Sequence, residues 1–281
     1  MKRILDGFKR ITLKTIINII LIIISAFALL PLLWTLWSSF KTSVEFSRDQ
    51  VGLPKSLYLG NYAEAFRVAN MSVTSLNTVI VTISAVFLIC VFSFIVSYFV
   101  SRFQFRGNRT IYFLFLAGML IPVHSFLVPI YIQFSRLGMT NNLFFLILVD
   151  AAFALPLTVV LIENFLRGVP MEVEEAAVID GASLSQRISL VAFPMCRPIM
   201  ATVLILQSLW TWNEFPFALT LINDTEKRTL PLAMSNFRGE YTIDYTSLFA
   251  ALILVSLPII IIYSIFSKRI MEGMTAGAVK G

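Results

Sequence analysis

Long apolar runs alternate with short polar segments along this chain, and the pattern predicts a bundle of membrane-spanning helices. Six runs are long enough to cross about 30 Å of hydrocarbon at about 1.5 Å per residue. They lie at about 15–40, 72–100, 110–134, 143–165, 199–221 and 245–266. Prolines interrupt several of them and predict kinks, because each proline removes a backbone hydrogen bond. The pattern predicts an all-α membrane protein with six transmembrane helices.

A polar island, Pro170–Pro194, separates the fourth run from the fifth and carries consistent helix signals. Its leading proline and the acidic residues behind it favour a helix N-terminus in the first turn. Gly181 stands where a left-handed residue would end that helix. Ser183 and Gln186 have the spacing of a capping box, so a second helix is expected to start there and to end at the closing proline. The product is a compact knob suited to a cleft on a partner, although an ordinary interhelical loop has the same signals.

Composition agrees with a membrane protein. Of 281 residues, 58% are hydrophobic and 14% charged, with a mean hydropathy of +0.84, whereas soluble domains have about 25% charged residues. The two cysteines and His124 lack partners at useful spacing, so no disulfide framework or metal site is indicated. No G-x-x-x-x-G-K-[ST] motif and no Ser/His/Asp arrangement is found, so we expect neither a bound nucleotide nor an enzyme.

The distribution of positive charge predicts the orientation. The N-terminal segment, the polar island and the other loops on its side hold 14 of the 22 Lys and Arg residues. The positive-inside rule therefore places the island and both termini in the cytoplasm. The net charge of +6 accordingly indicates membrane orientation and contact with lipid headgroups, not nucleic-acid binding. The first apolar run lacks a cleavage site and is interpreted as a retained span.

The island also contains a specific motif. Glu175-Ala176-Ala177, Gly181 and Val191-x-Phe193-Pro194 resemble the E-A-A-x3-G-x9-I-x-L-P pattern of binding-protein-dependent ABC importer permeases, with apolar residues at both differing positions. Further stretches are similar to carbohydrate-importer permeases, and the last two to the shorter permease of the maltose type: Ser39–Thr42 with Asn61, Tyr62 and Phe66, Arg102–Gly107, Ile121-Pro122 with Leu127-x-Pro129, Trp212–Phe215 and Thr275–Gly281. The resemblance covers nearly the whole chain.

The resemblance implies a carbohydrate-uptake permease with the type I (MetI-like) fold, residing in the cell membrane. Its implied partners are a second permease, giving a heterodimer, two P-loop ATPase subunits that hydrolyse ATP, and an extracytoplasmic solute-binding protein. Residues 1–70 would comprise the N-terminal segment, the first helix and an outer loop, residues 71–266 the permease core with the island, and residues 267–281 a cytoplasmic tail. The island would be the coupling helix that docks into the ATPase, through Glu174, Glu175, Ala176, Ala177, Asp180, Gly181, Ala182 and Pro194.

Polar residues inside the runs predict a substrate pathway. Asp150 lies within the fourth run, and intramembrane acids usually face a cavity or a partner. Gln207, Thr211 and Glu214 recur at i, i+4 and i+7 and would share one helix face, with Trp210 and Asn213 beside it. Carboxylate, amide and indole groups suit sugar hydroxyls and an apolar sugar face, but helix packing or solvation would also explain them. The alternative function is an ion-coupled carrier that uses Asp150 and Glu214.

Overall fold

The computed structural model describes the backbone of residues 2–237 and 244–278, and the side chains of 14–237 and 244–266. Across these residues the chain is helical and contains no β-strand. The α-helices are α1 Lys2–Ser38, α2 Ser43–Arg48, α3 Gly60–Val68, α4 Met71–Arg102, α5 Asn108–Met119, α6 Leu127–Arg136, α7 Leu143–Arg167, α8 Glu172–Ile179, α9 Leu184–Gln186, α10 Phe193–Met195, α11 Arg197–Trp212, α12 Pro216–Leu221, α13 Leu230–Ala233 and α14 Tyr245–Ala278.

Within the described ranges, four helices are long and apolar enough to cross a membrane, and two bent pairs raise the number to six if each pair is one span. The third predicted span is one of these pairs: α5 and the helical segment Val123–Arg136 meet at 92°. The break falls at Pro122, whose backbone is extended and which has no N–H to continue the helix. The third predicted span therefore consists of two helical segments separated by a break, whereas the sequence predicted one kinked helix.

The prediction of one continuous helix for the fifth span, residues 199–221, is wrong. Its helix α11 ends at Trp212, and α12 starts separately at Pro216. Asn213 to Phe215 separate the two helices, and Pro216 occupies the first position of α12, where its missing N–H leaves no hydrogen bond unmade. Before α11, the helical segment Leu184–Met195 joins it at a bend of 74°.

The chain divides into two compact units, and the first comprises Met1–Ala69 with Asn236–Leu254. Its predicted hydrophilic loop folds into α2 and α3. The Asn61 amide donates hydrogen bonds of 2.7 Å to the backbone carbonyls of Ser39 and Lys41. The hydroxyls of Ser39 and Tyr62 lie 2.7 Å apart. The two outer-loop stretches that carried the family resemblance therefore lie in contact.

The second unit comprises Asn70–Ser235 with Val255–Gly281, and its core is α4 packed along α7 and α11. Lipid tails are as apolar as the core, so close packing and interhelical hydrogen bonds stabilise such a bundle. The Ser97 hydroxyl on α4 donates to the Val159 carbonyl on α7 at 2.9 Å. Gly118 on α5 faces Pro156 on α7, where a Cβ atom would lie 3.0 Å from the proline ring. Small and apolar residues thus permit the close approach of these helices.

The predicted division into segments 1–70, 71–266 and 267–281 remains a prediction. The tail motif Thr275–Gly281 lies outside the described side chains, as do the basic residues before Lys14 and residues 238–243 of the last outer loop.

Candidate functional site

The first helix of the polar island, α8, begins with Glu172 and carries three acidic residues in its first turn, as predicted. Pro170 lies before the helix rather than in its first turn, because Met171 occupies the N-cap. The helix ends in a Schellman turn. Gly181 has φ +81°, its N–H donates to Val178 O at 3.0 Å, and the Ala182 N–H donates to Ala177 O at 2.9 Å. A Cβ atom on the glycine would meet nothing within 4 Å, so backbone conformation, not space, requires glycine here.

The second helix of the island starts at the predicted capping box. The Ser183 N–H donates to the Gln186 side chain at 2.8 Å, and the Gln186 N–H donates to the Ser183 hydroxyl at 3.4 Å. The helix widens to a π-helical turn over Arg187–Ala192 and continues to Met195. Pro194 therefore does not end it, because the hydrogen-bond ladder is already interrupted by the wide turn immediately before.

Glu174 is buried beneath the island and does not lie on its outer face. Its side chain is 1% exposed and accepts hydrogen bonds from Arg102 Nε at 2.7 Å and from the Tyr98 hydroxyl at 2.8 Å. Arg187 Nη2 lies 3.7 Å from the same carboxylate. Arg102 also donates to the Val169 carbonyl at 3.1 Å. Burial removes Glu174 from the predicted surface contacts, and the geometry makes it an anchor between α4 and both helices of the island.

Six of the remaining predicted coupling residues form a low surface, whereas Pro194 is half-buried and does not line the groove there. Glu175, Ala176, Asp180 and Gly181 are exposed, and Ala177 and Ala182 are half-buried. A groove of about 310 Å³ is lined by Ala177, Asp180, Gly181 and Ala182 together with Gln186, Leu190 and Val191. Beside it, Ile179 is 86% exposed.

A second site is a cavity of about 470 Å³ between α6, α7, α11 and the residues that follow α11. Asp150, Trp210, Asn213 and Glu214 line it, so the structure brings these four predicted pathway residues together. Three residues of α11 and its C-cap line the cavity at i, i+3, i+4 and i+7, on one side of the helix: Leu206, Leu209, Trp210 and the C-cap Asn213.

The predicted polar face of α11 is wrong. Gln207 and Thr211 are buried, and neither lines this cavity. Glu214 does not share their helix, because α11 ends two residues earlier. Its carboxylate instead accepts the N–H groups of Phe217 at 2.6 Å and Ala218 at 3.0 Å, which caps α12. Pro216 was the sequence signal that could have placed this break.

Asp150 provides a buried carboxyl group at the cavity. The residue is 7% exposed, and its Oδ2 atom has no hydrogen-bond partner among the described residues. A buried oxygen of this kind is costly unless another molecule supplies a donor. His124, for which the sequence indicates no metal site, lines the same cavity. Among the described residues, no group of three His, Cys, Asp and Glu side chains is placed to hold a metal ion.

Comparison with known proteins decides the family. A family model described as a binding-protein-dependent transport system inner membrane component matches residues 93–275. The chain belongs to this family. The permease is 38% identical over 260 residues to the diacetylchitobiose uptake system permease protein NgcG of Streptomyces coelicolor, covering 92% of this chain and 86% of that protein. It is 32% identical over 269 residues to the probable starch degradation products transport system permease protein AmyC of Thermoanaerobacterium thermosulfurigenes, covering 95% and 97%.

Among solved structures, the permease resembles a chain of a bacterial ABC transporter involved in the import of alginate. The TM-score is 0.79 at 22% identity, over 92% of this chain and 96% of that chain. The predicted all-α, type I importer fold is therefore confirmed. The permease is a multi-pass membrane component that works with an ATPase and a solute-binding protein, and it is not itself an enzyme. The family assignment gives no support to an ion-coupled carrier.

Proposed function

We propose that this permease is the shorter subunit of an ATP-driven importer of a sugar or an oligosaccharide. The observation that carries the proposal is the similarity over nearly the full chain to NgcG and AmyC, whose names specify diacetylchitobiose and starch degradation products. The cavity supports it, because a buried carboxylate oxygen beside Trp210 offers an acceptor for a sugar hydroxyl and an indole for an apolar sugar face.

The polar island is proposed to transmit movement of the ATPase to the bundle. Its outer face would dock into the ATPase through Glu175, Ala176, Ala177, Asp180, Gly181 and Ala182. Its inner face holds Glu174 against Arg102, so displacement of the knob would be passed to α4 through a buried ion pair. Coupling between two global states through one packed contact is a recognised way to drive alternating access.

The partners and the orientation follow from the same proposal. The island and both termini face the cytoplasm, a second and different permease completes the pathway, and two ATPase subunits bind below. ATP is bound and hydrolysed by those subunits, and this chain holds no cofactor. The greater share of Lys and Arg on the island side supports this orientation.

The test is affinity purification of the tagged permease in mild detergent, followed by reconstitution and uptake measurements. We expect a P-loop ATPase and a second permease to copurify, and sugar uptake to require ATP and the solute-binding protein. Uptake that continues on a proton gradient without ATP would contradict the importer. ATP-driven uptake with a second copy of this chain in place of a different permease would contradict the heterodimer alone.

The reassigned face of α11 gives a prediction about substrate contacts. Asp150→Asn replaces one oxygen of the buried carboxyl group with an NH2 donor, and Trp210→Ala removes the exposed indole from the cavity. Since an ordinary hydrogen bond and an aromatic contact each contribute about 0.5–1.5 kcal/mol, we expect each change to raise the KM for uptake by about two- to tenfold. Thr211→Val, next to Trp210 but outside the cavity, is the matched control and should leave KM unchanged. KM is obtained from initial rates of uptake. A larger increase in KM for Thr211→Val than for Asp150→Asn and Trp210→Ala would assign the substrate contacts to the buried face of α11.

A further inference from the structure

A second large groove lies beside the island anchor, between the end of α4, the start of α5 and the end of α7. Its volume is about 950 Å³, and its lining includes Arg106, Arg109 and Arg167 but no acidic side chain. Arg167 is partly neutralised, because it pairs with the buried Glu163 and lies 5.4 Å from the centre of the Tyr112 ring. Arg106 and Arg109 have no ion-pair partner among the described residues. The groove therefore carries uncompensated positive charge.

The apolar part of the lining indicates the kind of ligand. Phe105 is 43% exposed and Phe113 is 56% exposed, and both line the groove with the arginines. These residues stand where a membrane-crossing helix, α4, ends and the next apolar helix, α5, begins. Aromatic rings and arginines combine in this way at the boundary between hydrocarbon and water. A ligand that fills the groove needs an anionic head and an apolar body.

We propose that this groove binds the headgroup of an anionic phospholipid. Two unpaired guanidinium groups provide paired N–H donors suited to phosphate oxygens, and the exposed phenylalanines contact the first part of the acyl chains. Basic pockets between helices at the cytoplasmic surface are typical of such binding. The assignment of the site to the cytoplasmic leaflet rests on the proposed orientation of the permease. The identity of the ligand rests on the groove lining alone. A free phosphate ion would satisfy the arginines but would leave both phenylalanine rings in water.

The lipid site also has a consequence for transport. Arg102, whose side chain anchors Glu174, ends α4 four residues before Arg106. A lipid headgroup held by Arg106 and Arg109 would fix the loop that follows α4, and thereby the position of the island anchor. The ATPase activity of the assembled importer should consequently depend on anionic lipid.

The test compares the assembled importer carrying wild-type permease with one carrying Arg106→Gln and Arg109→Gln. Binding of short-chain phosphatidylglycerol is measured by native mass spectrometry, with phosphatidylcholine and inorganic phosphate as competitors. A basic residue near an anionic surface contributes about fivefold in affinity, so the double variant should bind phosphatidylglycerol about 30-fold more weakly. A variant with Arg48→Gln and Arg136→Gln loses the same charge from exposed positions outside the groove and should bind as the wild type does.

Three outcomes would overturn the proposal. The first is equal phosphatidylglycerol binding by the wild type and the double variant in complexes of normal composition. The second is displacement of the lipid by millimolar inorganic phosphate, which would make the groove a free-anion site. The third is loss of the ATPase from the double variant in the presence of excess phosphatidylglycerol, which would make the groove a protein contact. Retained composition with about 30-fold weaker lipid binding supports it.

Discussion

Glu174→Ala is expected to reduce ATP-driven uptake to background, while Glu172→Ala on the same helix leaves uptake close to the wild-type rate. The carboxylate of Glu174 is buried with Arg102 and the Tyr98 hydroxyl. Removing one partner of a buried ion pair costs about 3–5 kcal/mol, because the other charge stays buried and uncompensated. A helix as short as α8, with eight residues, is not stable without tertiary contacts. The anchor, not the helix itself, therefore holds the island in place.

The measurements are uptake in vesicles, copurification of the ATPase, and limited proteolysis within residues 170–194. Glu172 is exposed and lies in the same first turn. Glu172→Ala removes the same charge from that turn and therefore controls for the effect of charge on the helix dipole. The double variant Arg102→Met with Glu174→Met should be less impaired than either single Met variant, because neither member of the ion pair is then left as a buried charge beside an apolar side chain. It should remain below the wild type, because Tyr98 and Arg187 also lose their acceptor. If Glu174→Ala and Glu172→Ala behave alike in all three assays, Glu174 is not the anchor.

Local signals predicted the island well because they act within a few residues. The left-handed Gly181 and the capping box of Ser183 with Gln186 depend on backbone hydrogen bonds between neighbours in sequence, and both are confirmed. The burial of Glu174 could not be predicted in the same way, since it depends on Arg102, which is 72 residues away in sequence. In sequence, Glu174 and Glu175 look alike, and only the packing of α4 distinguishes the buried carboxylate from the exposed one.

The cavity that Asp150 lines was predicted in part for a similar reason. Asp150 was identified because an acid inside an apolar run is costly wherever it lies. The face of α11 was misassigned because the i, i+4, i+7 rule assumes an unbroken helix, and the helix stops at Trp212. The length and mean hydropathy of the run do not show the break, because Asn213 and Glu214 are only two polar residues and an apolar stretch follows them at 215–222. Apolarity predicts membrane depth and does not by itself predict a continuous helix.

Gly181→Pro is expected to remove the ATPase from the purified permease and to abolish ATP-driven uptake. Proline requires φ near −65°, whereas Gly181 has φ +81° and donates its N–H to Val178. The Schellman turn would be lost at a cost of about 3 kcal/mol or more, and the small exposed residues around the turn would no longer form one surface. Gly181→Asn should retain most activity, because asparagine tolerates the left-handed conformation. Copurification and uptake are measured on the same preparations.

The chain contains a close structural match for this turn, and it separates a specific coupling defect from a general loss of stability. Gly138 follows α6 with φ +67°, donates its N–H to Ser135 O at 3.2 Å, and is followed by a Met139 N–H bond to Phe134 O of 2.8 Å. As at Gly181, a Cβ atom would meet nothing within 4 Å. Gly138→Pro therefore removes the same N–H donor and requires the same change of φ, in another Schellman turn. If Gly138→Pro also loses the ATPase, the effect of Gly181→Pro reflects instability of the permease. If Gly138→Pro retains the ATPase and Gly181→Pro loses it, the docking contact lies at the turn of the island.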